Sequence, residues 1–117
     1  MTDNTFYGVF VSEMFLTYPG RKQYAADEYV DNFGLTHAAM GVAGEAGELV
    51  DLIKKHVFTG KPLHYDQVIA EMGDLEFYLQ ALRNQLQIDR EDVLKANVTK
   101  LEGRHPKGIE ESNHYEK

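Results

Sequence analysis

The sequence predicts an all-α protein, an antiparallel helical bundle. Three observations carry this. Between residues 35 and 104 apolar side chains recur at spacings of three and four, the period of a helix with one buried face. The interruptions hold Gly, Pro and Asp, residues that stop or start helices. No segment sustains the two-residue alternation, with β-branched bias, of a half-buried strand.

The elements follow in order. Residues 1–34 form an aromatic arm carrying Phe6, Tyr7, Phe10, Phe15, Tyr18, Tyr24, Tyr29 and Phe33. Pro19-Gly20 breaks the arm into two short pieces, each expected to be helical. Most of these aromatics are expected in core or interface packing. Tyr24, Tyr29 and Phe33 are the candidates for stacking on a base.

The first strong helix is expected over 35–58, with Thr36 as N-cap. Its apolar stripe is Leu35, Ala39, Val42, Ala46, Leu49, Ile53 and Val57. Lys54, Lys55 and His56 suit its C-terminal dipole. Gly60 and Pro62 end it. A second helix is expected over 66–86, capped by Asp66, with the stripe Val68 or Ile69, Met72, Leu75, Leu79, Leu82 and Leu86. The short connection makes the two helices antiparallel neighbours. A third helix starts at Asp89 and runs to Leu101 or Arg104, stopped by Gly103, Pro106 and Gly108. The polar stretch 109–117 reads as a solvated tail. The whole is expected to be one domain: arm 1–34, helical domain 35–108, tail 109–117.

Composition narrows the function classes. The chain has 117 residues and 43% hydrophobic residues, enough for one globular domain but only a modest core. Completion of the bundle by oligomerisation is therefore expected. The net charge of −7 argues against a protein built to grip a nucleic-acid backbone. With no cysteine, disulfides, thiolate metal sites and cysteine nucleophiles are excluded. The N-terminus lacks the basic-then-apolar pattern of a signal peptide, and no apolar run approaches the ~20 residues that span a bilayer. A cytoplasmic protein is expected.

The chemistry is carried by carboxylates. Glu45 and Glu48 lie three residues apart on one helix, and Glu71 and Asp74 repeat that spacing on the next. Both pairs flank their apolar stripes, so packing of the stripes directs them to one inter-helix groove. Carboxylates gathered this way repel each other unless cations neutralise them. Hard divalent ions prefer such oxygens, and Mg²⁺ commonly joins a few carboxylates to substrate phosphates. Gly41, Gly44 and Gly47 surround the first pair, and each costs about 1 kcal/mol relative to alanine inside a helix. Three together predict close approach of another backbone or a ligand. Asn97, Lys100 and Arg104 share one face of the third helix, and Lys55 follows Glu48 by seven residues. All four are candidate contacts for phosphate or ribose, against the ordinary alternative of a solvated face.

The segments GEAGELVDLIKKHVFTGKP, AEMGDLEFYLQAL and NVTKLEGRHPKG give, in order, E-x-x-E, E-x-x-D and N-x-x-K-L followed by R-x-P-x-G. Over residues 35–108 this resembles MazG-like proteins of the all-α nucleoside triphosphate pyrophosphohydrolase superfamily, in their single-domain phage and bacterial form. His105 and Ile109 depart from the aromatics common at those positions. The resemblance implies that Glu45, Glu48, Glu71 and Asp74 are metal ligands for Mg²⁺, with Mn²⁺ able to substitute. It implies substrate contacts at Asn97 and Lys100, and at Arg104. It implies a homodimer or homotetramer with sites near subunit interfaces, placed in the host cytoplasm if phage-encoded. The implied reaction is hydrolysis of the α–β phosphate bond of a (deoxy)nucleoside triphosphate to the monophosphate and pyrophosphate. By the same analogy Glu48 assists deprotonation of the attacking water, while Lys55 and Lys100 offset phosphate charge.

Base, sugar and biological role stay open at this level: pool cleansing, dUTP removal and phage nucleotide supply all fit. So do a specialised pyrophosphatase and a non-catalytic helical module that binds metal or nucleotide. A di-iron carboxylate bundle is disfavoured, because the only Glu-x-x-His pairs, Glu102–His105 and Glu111–His114, fall at the broken helix end or in the tail.

Overall fold

A computed structural model describes residues 4–15 and 31–104. The second piece of the aromatic arm, with Tyr18, Tyr24 and Tyr29, and the tail 109–117 lie outside them. The described residues hold four helices and no strand: α1 (Asn4–Phe15), α2 (Asp31–Thr59), α3 (Tyr65–Leu86) and α4 (Arg90–Arg104). The all-α expectation is met. Two compact units divide the chain, Met1–Gln87 and Ile88–Lys117. Among the described residues no helix is long and apolar enough to cross a membrane.

In the first unit α2 and α3 form the helical hairpin, with residue numbers rising on one as they fall on the other. Gly34 meets Gln85, Gly41 meets Tyr78, and Glu45 meets Asp74 and Glu71. The hairpin turns at Gly60, whose φ of 74° is the left-handed conformation that ends a helix most easily at glycine. His56 Nδ1 lies 2.7 Å from the Lys61 carbonyl and closes the connection.

Helix starts differ from the sequence expectation. α2 begins at Asp31, so Thr36 is an exposed residue inside the helix and not its N-cap. The added turn is held by packing: Gly34 is buried, and a Cβ there would stand 2.7 Å from Gln85 Oε1. Such contacts override a local cap signal. α3 begins at Tyr65, with His64 in the cap position and no side-chain cap bond. The His64 carbonyl accepts the N–H groups of Gln67 and Val68 at 3.0 and 3.1 Å. Asp66 lies one residue inside, where its carboxylate accepts the Gln67 N–H at 3.1 Å and suits the helix dipole. Asp89 does precede α4, and its carbonyl accepts from Asp92 and Val93. That helix continues through Gly103 instead of stopping there.

The core takes in only part of the expected stripes: Leu35, Val42, Ala46 and Leu49 of α2 and Val68, Leu75, Leu79 and Leu82 of α3 are half-buried. Val11, Phe15, Ala38 and Ala81 are buried, with Tyr7, Phe77, Tyr78 and Leu82 packed against them. Ala39, Ile53 and Val57 on α2 are exposed, and so are Ile69, Met72 and Leu86 on α3. Small residues draw α2 onto α3: a Cβ on Gly41 would overlap the Tyr78 ring. Gly44 and Gly47 meet nothing within 4 Å among the described residues, so close approach accounts for one glycine of the expected three.

Helix α1 crosses this hairpin on the face formed by Tyr7, Val11 and Phe15, spaced four apart. Phe15 stacks on His37 at 4.7 Å between ring centroids. Asn84 Nδ2 donates to the Gly8 carbonyl at 3.0 Å, and Gln80 Nε2 donates to Asn84 Oδ1 at 2.9 Å. Phe6 and Phe10, in contrast, are exposed. The second unit is described by α4 alone, which is exposed along its length beyond Arg90.

Candidate metal centre

The antiparallel register determines what the carboxylates can do together. Glu45 sits midway along α2, and Glu71 and Asp74 occupy successive turns of α3 opposite it. One oxygen from each of the three lies within 4.8 Å of the others. Glu45 and Glu71 are half-buried, and Asp74 is exposed. Burial pushes the Glu45 carboxyl above its ordinary range, and the negative charges of Asp74, Glu71 and Glu48 add to the rise. The mutual repulsion argued from sequence is thus present in the structure. Three acceptor-only, hard oxygen ligands in one groove are the donor set that a divalent cation fits.

Glu48, the fourth expected ligand, acts electrostatically on Glu45 but its carboxylate does not belong to the convergent three. It also raises the Lys55 ammonium, after the larger effect of Asp51. Lys55 Nζ is 2.8 Å from Asp51 Oδ2, and Lys54 Nζ is 3.7 Å from Asp51 Oδ1. In this arrangement Lys55 is an exposed, paired cation one helical turn from Asp51. Asn97, Lys100 and Arg104 are all exposed on α4, at spacings of three and four that set them along one face of the second unit.

The structure adds residues that the sequence did not single out. Tyr7 of α1 is half-buried and feels the charges of Glu76, Arg83 and Asp74. Burial, followed by Glu76, pushes its hydroxyl above the ordinary tyrosine value. Arg83 Nη2 donates to Glu76 Oε2 at 2.7 Å and to Gln80 Oε1 at 2.6 Å. A polar chain therefore runs from Glu76 through Arg83, Gln80 and Asn84 to the backbone of α1. The available signal was the four-residue spacing of Tyr7, Val11 and Phe15, which marks α1 as a helix with an inward face.

Comparison with known proteins agrees with this architecture. Residues 34–109 match the family model described as the MazG nucleotide pyrophosphohydrolase domain. A curated relative, the Gene 37 protein of Mycobacterium phage L5, is 35% identical over 82 residues, covering 65% of this chain and 70% of that one. No solved structure matches. The match spans more than half the chain and contains all four expected carboxylates, so this protein belongs to the MazG nucleotide pyrophosphohydrolase family.

Proposed function

We propose that this nucleotide pyrophosphohydrolase is a Mg²⁺-dependent enzyme that cleaves the α–β bond of (deoxy)nucleoside triphosphates, releasing the monophosphate and pyrophosphate. The convergence of Glu45, Glu71 and Asp74 carries this reading. A divalent cation bound there supplies Lewis-acid neutralisation of phosphate charge. Glu45, Glu71 and Asp74 would hold it, with Glu48 completing the set from the next turn of α2. Glu48 is also the carboxylate assigned to accept the proton of the attacking water. Lys55, Asn97, Lys100 and Arg104 are assigned to the substrate's phosphate and ribose oxygens, as donors that the acceptor-only carboxylates cannot replace.

The same reading includes a homodimer or homotetramer working in the cytoplasm, that of the host if phage-encoded. The small core of the first unit and the exposure of Met40, Val50 and Met72 support self-association. The deciding experiment is a product assay over a panel of ribo- and deoxynucleoside triphosphates, with Mg²⁺ and with chelator. Metal-dependent monophosphate plus pyrophosphate supports the proposal. Orthophosphate as the direct product, or turnover that survives chelation, refutes it.

A further inference from the structure

The seam between α2 and α3 keeps one register over three levels. Gly34 meets Gln85, Gly41 meets Tyr78, and Glu45 faces Asp74. Seven residues separate the first two levels on both helices, and four separate the second from the third. Residues four apart on a helix share a face and lie about 6 Å apart along its axis. The Gly41–Tyr78 contact therefore stands one turn from the carboxylates on both helices at once.

The two glycine contacts differ in kind. At Gly34 the obstacle to a Cβ is the end of the Gln85 side chain, which can turn aside. At Gly41 it is the Tyr78 ring itself, at Cγ, Cδ1 and Cε1. That ring is anchored by others: Phe77 meets it edge-on at 5.1 Å between centroids, and His37 meets it, tilted, at 5.8 Å. The backbone of α2 thus rests against a held ring. Gly44 and Gly47 have no such stop, since they meet nothing within 4 Å among the described residues.

One turn further on, helix separation has a direct effect. Glu45 is the α2 member of the acidic three, and Glu71 and Asp74 both belong to α3. Moving the helices apart shifts Glu45 away from both partners and leaves the spacing of those two unchanged. The three oxygens lie within 4.8 Å of one another, and Mg²⁺ needs its ligands at about 2.0–2.1 Å in near-ideal geometry.

We infer that Gly41 and Tyr78 are positioning residues for the metal centre: their contact sets the separation of α2 and α3 at which Glu45 shares a divalent cation with Glu71 and Asp74. The inference rests on the proposed function, since it needs a cation on those carboxylates.

The test measures binding of Mn²⁺ alone to the full chain, from the loss of the free-ion paramagnetic resonance signal. Each variant is titrated at a temperature where circular dichroism shows the helix content of the parent. Gly41→Ala pushes the helices apart, Tyr78→Leu removes the stop, and the double variant returns a matched pair of smaller side chains. Groups that only position ligands alter metal affinity about tenfold or more, so each single variant should raise the Mn²⁺ Kd by about that factor. The double variant should recover to within about threefold of the parent, and the Gly44→Ala control should match it. A merely structural contact would alter stability and leave the Kd of the folded protein unmoved. Parent-like Kd in the folded single variants, additive losses in the double, or an equal loss in Gly44→Ala each overturn the inference. Should Gly41→Ala fail to fold, Tyr78→Leu decides alone, and a parent-like Kd there overturns it. A parent that binds no Mn²⁺, with or without a non-hydrolysable nucleotide, refutes the functional reading itself.

Discussion

Gly41 of α2 lies flush against the Tyr78 ring of α3, with no room between them for a Cβ. The contact sits one turn from Glu45, so it helps determine how deeply the carboxylates of the two helices interpenetrate. Gly41→Ala should destabilise the protein by about 1–3 kcal/mol, the usual effect of overpacking, despite alanine's better helix propensity. Gly44→Ala and Gly47→Ala meet open space among the described residues and should gain up to about 1 kcal/mol each. Urea unfolding of the three variants checks the contrast, and a stabilised Gly41→Ala would show that the ring yields freely.

This contrast shows what was legible in the sequence. The two long helices, their antiparallel pairing and the stop at Gly60 follow from period and turn chemistry, which are local. The residues at the centre of the core do not. Large apolar residues such as Ile53 and Met72 were expected inside, yet they are 38% and 54% exposed. The helices instead close on small residues: Gly41, where close approach was expected, and Gly34 and Ala38, which a reading weighted toward bulky side chains passes over. Glu45, Glu71 and Asp74 were legible as a group because spacing and register are both regular. The place of Tyr7 was not, because it depends on how α1 crosses α3. The left-handed Gln87 that ends α3, with φ 56°, also carries no glycine to announce it.

Stability should fall in mild acid through His37. Burial among Phe15, Phe33 and Tyr78 lowers its pKa below the ordinary value of 6.5. A lowered histidine pKa means that the unfolded chain binds the proton more readily than the folded one. The contribution is therefore neutral above about pH 6.5, and stability is lost as pH falls through that value toward the lower folded pKa. His37→Phe keeps an aromatic ring and removes the titration. Its thermal midpoint, measured from pH 7.5 to 5, should decline less than that of the parent.

Charge-to-amide substitution separates chemistry from folding. Asp74→Asn and Glu48→Gln should abolish turnover while helix content by circular dichroism stays near that of the parent. Glu45→Gln removes one member of a mutually repelling group and should raise stability in the presence of chelator. Full activity in Asp74→Asn would show that the acidic cluster is not the site.

The bond from Asn84 to α1 has a measurable strength. Asn84→Ala removes the donor to the Gly8 carbonyl and the acceptor for Gln80. A loss of about 1–3 kcal/mol is expected from leaving partly buried groups unsatisfied. Lys55→Met is the counterpart: its solvent-exposed pair with Asp51 should contribute little to stability. A rise in KM in that variant would then report nucleotide binding and not folding.

The matched numbering of α2 and α3 bears on which length changes the protein can tolerate. An extra residue at positions 60–64 lengthens the turn and leaves the opposed carboxylates where they are. An extra residue between Gly41 and Glu45, or between Asp74 and Tyr78, rotates everything beyond it by about 100° and carries an acid out of the groove. Insertions and deletions should therefore be harmless at the hairpin tip and disabling in either helix between the Gly41–Tyr78 contact and the acids.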